Sequence, residues 1–207
     1  MFRRISIPAM PKLRRATKPS ADRILHAAET LFADRGFGEV SLRQLIAAAG
    51  VSTTAFYARF DSKAAVLDTL TERLFADLHT DAVTTLHHVR DLDDGIVRGI
   101  DLLCARFGPR KPLVRLIVAE SGSLAPMLST RRRSYTLLAG LLAARLHALA
   151  QRGRIEVADP SALAWAIVGA LEIQIVRWAV WGDLDLIELR TQLLATARAI
   201  LPTERTP

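Results

Sequence analysis

Apolar residues along this chain recur at spacings of three and four from Ser20 onward, and no stretch alternates with a period of two. Ile24, Ala27, Ala28, Leu31 and Phe32 mark one face of a first helix, opened by Ser20 as N-cap and closed by Gly36. Ser41, with Gln44 three residues on, reads as a capping box for a second helix over Leu42–Ala49, which Gly50 ends. Ser52 caps a short third helix reaching about Arg59. Ser62 caps a fourth, from Lys63 toward Thr80. Further helices are predicted near 94–107, 112–121, 126–152, 160–181 and 185–201. Asp159-Pro160 is a strong start signal, and Gly153 and Gly182-Asp183 are stops. With no internal repeat, the pattern predicts an all-α chain.

The last two helices differ from the rest. Residues 160–181 are apolar around most of the circumference, with Trp165, Val168, Leu171, Ile175 and Trp178 at helical spacing. Leu186, Leu189, Leu193, Ala197 and Ile200 form a similar stripe on the final helix. Such a pair either meets its copies in a four-helix bundle or completes a monomeric core. A membrane span fits poorly, because Glu172, Gln174 and Arg177 fall within the candidate segment and charge in lipid is costly.

Charge adds a direction. The 207 residues are half hydrophobic, enough for a substantial core, and carry a formal charge of +7. Residues 1–63 hold 11 Lys/Arg against 5 Asp/Glu, whereas 64–207 hold 17 against 16. A basic third on a near-neutral body points to a polyanion, since neutralising phosphates releases counterions. Residues 1–19, with three prolines and six cations, read as a flexible basic arm. The lone Cys104 sits among apolar residues and excludes an internal disulfide. With no apolar leader in the first twenty residues, a cytoplasmic location is expected. No phosphate-binding loop, Gly-x-Ser-x-Gly or Cys-x-x-Cys is present, so no enzyme is expected. The adjacent His87-His88 cannot share a helix face, so no metal site is expected, and no cofactor.

The informative stretch is 41–63, SLRQLIAAAGVSTTAFYARFDSK. Two short helices meet at Ala49-Gly50-Val51-Ser52, where glycine permits a positive φ. Leu45, Ala48, Val51 and Phe56 are expected inside, and the second helix turns polar and small side chains outward. Residues 23–67 resemble the DNA-binding domain of the tetracycline-repressor (TetR) family. The likeness rests on Leu31-Phe32, Gly36-Phe37, Ser41, Ala49-Gly50-Val51-Ser52, Tyr57, Phe60 and Ser62-Lys63. Thr54 stands where the family often has Gly, and Ile46 where it often has Ala.

The resemblance implies an N-terminal three-helix DNA-binding domain over residues 20–65, containing the helix-turn-helix. It also implies a C-terminal helical ligand-binding and dimerisation domain over 66–207. Ser41 and Arg43 would flank the groove. Ser52 would cap the recognition helix, with Thr53, Thr54, Ala55 and Arg59 meeting DNA. Tyr57 and Lys63 would hold phosphates. The implied partners are a palindromic double-stranded operator, a second copy of the chain as homodimer, and an unknown small molecule that releases a repressor. No membrane partner is implied. Candidate ligand contacts are Phe75, Leu78, Phe107, Met127, Tyr135 and Trp165, residue types that line pockets and cores alike.

Overall fold

A computed structural model describes residues 19–86, 89, 91–120 and 125–205. The expected basic arm and His87-His88 lie outside the described residues, apart from Pro19. Every regular element among the described residues is helical: α1 (Pro19–Arg35), α2 (Leu42–Ala49), α3 (Thr53–Tyr57), α4 (Lys63–Leu86), α5 (Leu92–Phe107), α6 (Lys111–Glu120), α7 (Ala125–Gln151), α8 (Pro160–Val176) and α9 (Leu186–Ile200). A 3-10 turn, Gly108–Arg110, joins α5 to α6, and a π-helical turn, Arg177–Trp181, extends α8.

The caps of α2, α3, α4 and α8 are those the sequence signals, whereas Ser20, expected to cap α1, lies inside it because the helix starts at Pro19, a residue that suits the first turn. Ser41 and Gln44 bond reciprocally at the start of α2. Asp159 accepts from Ser161 and Ala162 at the start of α8, with Pro160 in the first position. Asp185 and Glu188 form a second capping box on α9, which pattern alone did not single out. The reason α4 continues to Leu86 rather than Thr80 is plain: no glycine or proline interrupts it, and the hydroxyls of Thr80 and Thr84 bond back within the helix.

One apolar core runs from α1 to α9. Ile24, Phe32, Leu45, Phe56, Leu67, Leu74, Trp178 and Leu193 all belong to it. α4 crosses residues 65 and 66 without a break and contributes Val66, Leu67, Leu70, Leu74 and Leu78, each buried. A smaller cluster, with Leu146, Leu149, Ile155 and Ala164, holds the end of α7 against α8.

Most of the two apolar stripes of the last helices faces inward, though Leu186 is 39% exposed. Val168, Leu171 and Ile175 pack within the protomer, Trp178 is buried under the Lys111 ammonium at 5.1 Å, and Leu189, Leu193 and Ala197 are buried. Trp165 departs from its stripe and is 44% exposed. α8 is apolar on every side, so its sequence pattern carries no information on which face points in. Its outward face is Ala162, Trp165, Ala166, Gly169 and Ile173. Cys104 is buried, and burial pushes its thiol above the usual range, as expected of a packing residue.

Leu193 has no exposed surface in the protomer. Leu193→Ala is expected to lower the unfolding free energy by about 2–5 kcal/mol. Urea titration checks this at several protein concentrations, and a loss that vanishes on dilution would place Leu193 between subunits instead.

Candidate functional site

The site is built on a turn. Gly50 adopts φ 61° and ψ 36°, and its N–H bonds back to Ala47 and Ile46. A side chain at that φ is strained, which is why glycine ends α2 here. Ser52 then caps α3, its hydroxyl accepting from Ala55 N–H at 3.1 Å. Leu45, Ala49 and Phe56 are buried beneath the pair, and Phe56 meets the Tyr57 and Phe60 rings at 5.6 and 6.0 Å. Ala48, expected inside, is exposed, and Ala49 takes the inward position. The two differ by one step of the helix, about 100°, and alanines on both sides leave the pattern silent.

With Phe56 pointing in, the rest of α3 points out. Ser52, Thr53, Thr54, Tyr57 and Arg59 are exposed, Tyr57 by 52%, and Ala55 is half-buried. Ser41 and Arg43, from the start of α2, are exposed as well. Arg43 and Arg59 have no ion-pair partner among the described residues. Arg23 of α1 is a further cation, one that sequence pattern does not single out. It is exposed, and its guanidinium lies beside the turn at Gly50. Hydrophobic spacing marks Arg23 only as surface; its place beside the turn follows from tertiary packing.

Lys63 sits differently from the other basic residues. Its side chain is half-buried and folds back on the α1–α2 connection. The ammonium donates to the Phe37 carbonyl and, at 2.6 Å, to the Val40 carbonyl, and it lies 4.2 Å from the centre of the Phe37 ring. It therefore ties the first residue of α4 to the loop ahead of α2. Ser62 caps the same helix, accepting from Ala65 N–H. The free N–H groups at this helix start suit an anion.

A second feature lies between α4, α5, α6, α7 and α8: a cavity of about 230 Å³ with an almost wholly apolar wall. Phe75, Leu78, Phe107 and Tyr135 line it, with Phe107 and Tyr135 edge-on to Phe75 at 6.2 and 6.4 Å. Trp165 does not, because it points outward from α8, and the Met127 side chain lies outside the described residues. Tyr135 is held at its hydroxyl by Arg131 at 2.8 Å, and burial keeps its phenol above the ordinary pKa despite that cation.

Comparison with known proteins bears on both features. Residues 24–70 match the family model for bacterial regulatory proteins of the tetR family. The chain is 34% identical over 113 residues to the HTH-type transcriptional regulator EthR of Mycobacterium tuberculosis, and 36% over 112 residues to that of Mycolicibacterium smegmatis. Over residues 24–70 the chain is therefore similar to the tetR family. These alignments cover 52% and 51% of the chain and the same shares of the relatives, so the chain spans about half the length of the curated relatives it matches. TetR-family structures share the fold well beyond that half. A putative TetR-family regulator from Syntrophomonas wolfei matches with a TM-score of 0.78 at 20% identity, over 87% of this chain and 94% of the other. FadR of Thermus thermophilus, a TetR-family repressor solved with lauroyl-CoA, matches with a TM-score of 0.66 at 23% identity, over 87% and 92%.

The Lys63 contacts make a stability prediction. Lys63→Met should cost about 1.5–3 kcal/mol, because two carbonyls lose a charged donor. Arg43→Ala should change stability by less than about 0.5 kcal/mol. Chemical denaturation of both variants tests this, and equal stabilities would remove the clamp.

Proposed function

We propose that the chain is a sequence-specific DNA-binding transcription regulator, acting in the cytoplasm as a repressor. It binds a palindromic operator as a homodimer and is released by a small molecule. The observation that carries this reading is the exposed face of α3: polar and small side chains, flanked by arginines that have no ion-pair partner among the described residues, on a helix held by a buried phenylalanine. Nothing in the protomer needs that face. A capped helix of this kind presents its first turn to the major groove. The EthR relatives, named as transcriptional regulators rather than enzymes, support it.

In this reading residues 20–65 form the DNA-binding domain and 66–207 the regulatory and dimerisation domain, the division falling inside α4. Thr53, Thr54 and Ala55, in the first turn of α3, meet base edges, where a threonine offers a hydroxyl to bases and a methyl to thymine. Tyr57, Arg43 and Arg59 hold phosphates. Ser41 and Ser52 set the helix starts at the groove edge. Lys63 contributes by fixing the start of α4 against the loop ahead of α2. Dimerisation runs through the outward face of α8, where Trp165 and Ile173 are each 44% exposed and Ala166 and Gly169 allow close approach of a copy. The cavity is the ligand site.

Two measurements test this. Binding to operator and to random DNA is followed against salt. Arg59→Ala should lower the logarithmic salt slope, on both DNAs, by about 0.9 for each phosphate it no longer neutralises. Thr54→Ala should cost about 1–3 kcal/mol on the operator alone. Removing residues 1–18 should weaken binding most at low salt and leave sequence preference in place, since six cations are removed and no α3 residue is touched. Equal losses on both DNAs for Thr54→Ala would end its assignment to bases.

Light scattering addresses the dimer. The unaltered chain should be dimeric, and Ile173→Glu should give monomers of unchanged helical content. A monomeric unaltered chain at micromolar concentration would exclude the dimer.

A further inference from the structure

The cavity wall includes three side chains that are charged at neutral pH: Asp91, Arg145 and Glu172. Two of them are engaged. Asp91 caps α5, accepting from Asp94 N–H at 2.8 Å, and Glu172 pairs with Arg131 of α7. Arg145 is not. Its Nε is shielded from solvent and donates to nothing, and no carboxylate among the described residues reaches its guanidinium. Arg145 is partly exposed as a whole, but a shielded N–H of a cationic group that finds no acceptor costs more than one that does. The rest of the wall is nearly all hydrocarbon, and its two carboxylates are engaged by Asp94 N–H and Arg131.

The shape narrows the occupant. Tyr135 and Arg145 both line the cavity and stand ten residues apart on α7, so the space extends about 15 Å along that helix. Leu74 and Thr85, eleven residues apart on α4, line a similar length. The cavity is a slot between helices rather than a round hole.

We propose that this slot binds a linear apolar molecule ending in a carboxylate, with the carboxylate on Arg145 and the chain running along α7 toward Tyr135. The inference rests on the cavity being the ligand site and names the ligand's class. A neutral head would leave the guanidinium unpaired. A cationic head would meet carboxylates already occupied by Asp94 N–H and Arg131. Arginine suits a carboxylate because its planar fork makes two parallel bonds.

The test uses the full chain and three probes of one length, decanoate, decanol and decylamine, titrated calorimetrically below their micelle concentrations. Decanoate should bind at least about tenfold tighter than decanol, the increment expected of one charge-assisted hydrogen bond, and decylamine weakest. Arg145→Gln should remove the preference for the acid while leaving decanol binding in place, and Arg145→Lys should keep most of it. Leu78→Trp, which fills the slot, should abolish binding of all three. Circular dichroism establishes that each variant is folded, and the head-group comparison on the unaltered chain stands without any variant. Equal affinities for acid and alcohol, or an acid preference that survives Arg145→Gln, would overturn the role of Arg145 and leave the cavity as a ligand site. Failure of every probe to bind, or binding that survives Leu78→Trp, would overturn the cavity reading as well.

Discussion

The structure depends on α4 being one uninterrupted helix. Its 24 residues span about 36 Å and take part in both halves of the molecule. Val66, Leu67 and Leu70 are buried in the core that α1 shares, while Leu74, Phe75 and Leu78 reach the cavity. Because a helix transmits displacement along its axis with little give, the position of Phe75 in the cavity and the position of Lys63 at the helix-turn-helix are not independent. Close packing at both ends allows few intermediate arrangements. Under the proposed function, a molecule in the cavity would act on α3 only so far as it favours one position of α4 over another.

The same helix explains how the five-residue α3 stays in place. α3 is too short to be stable alone. It is held by Phe56 beneath, by the Ser52 cap in front, and by the turn at Gly50. Behind it, Lys63 anchors the start of α4 to the carbonyls of Phe37 and Val40, which lead into α2. Rigidity at the buried side frees the opposite face to carry residues chosen for what they touch rather than for stability. Thr53 and Thr54 are β-branched residues exposed in a helix, where they contribute little to its formation.

What the sequence made legible was local. The caps of α2, α3 and α8, and the glycine turn, follow from residues within four positions of one another. The structure has each where pattern places it. Three features depended on distance in the chain instead. Lys63 reads as an exposed cation at a helix start, and only its contacts 23 and 26 residues away show it folded inward. Trp165 shares a stripe with Val168 and Leu171 yet faces out, because a helix apolar on all sides has no preferred direction until its neighbours are in place. The isolation of Arg145 is equally invisible in sequence, since it consists of partners that are absent. Four of the six residues offered as ligand contacts, Phe75, Leu78, Phe107 and Tyr135, line the cavity, but composition had no means to separate wall from core.

Charge is arranged on a similar division. Residues 19–63 carry five basic and five acidic side chains and are neutral as a segment, while residues 1–18 carry six cations and no acid. Yet the acids of α1 are partly answered from outside it. Asp22 pairs with Arg73 of α4 at 3.0 Å, and Glu29 with Arg110 ahead of α6 at 3.6 Å. Each such exposed pair adds little stability, about 0–1 kcal/mol. Their effect on the field is larger than their effect on the fold, because two carboxylates of the segment are neutralised by arginines belonging to the rest of the chain. Among the described residues, Arg23, Arg43 and Arg59 are left without carboxylate partners. The helix-turn-helix thus becomes a net cationic surface only when docked on α4 and α6. A cationic surface made in this way is sensitive to how α1 sits against those helices. The ion pairs that contribute least to holding the protein together are then among those that most directly tie the state of the C-terminal helices to the charge presented by the N-terminal ones.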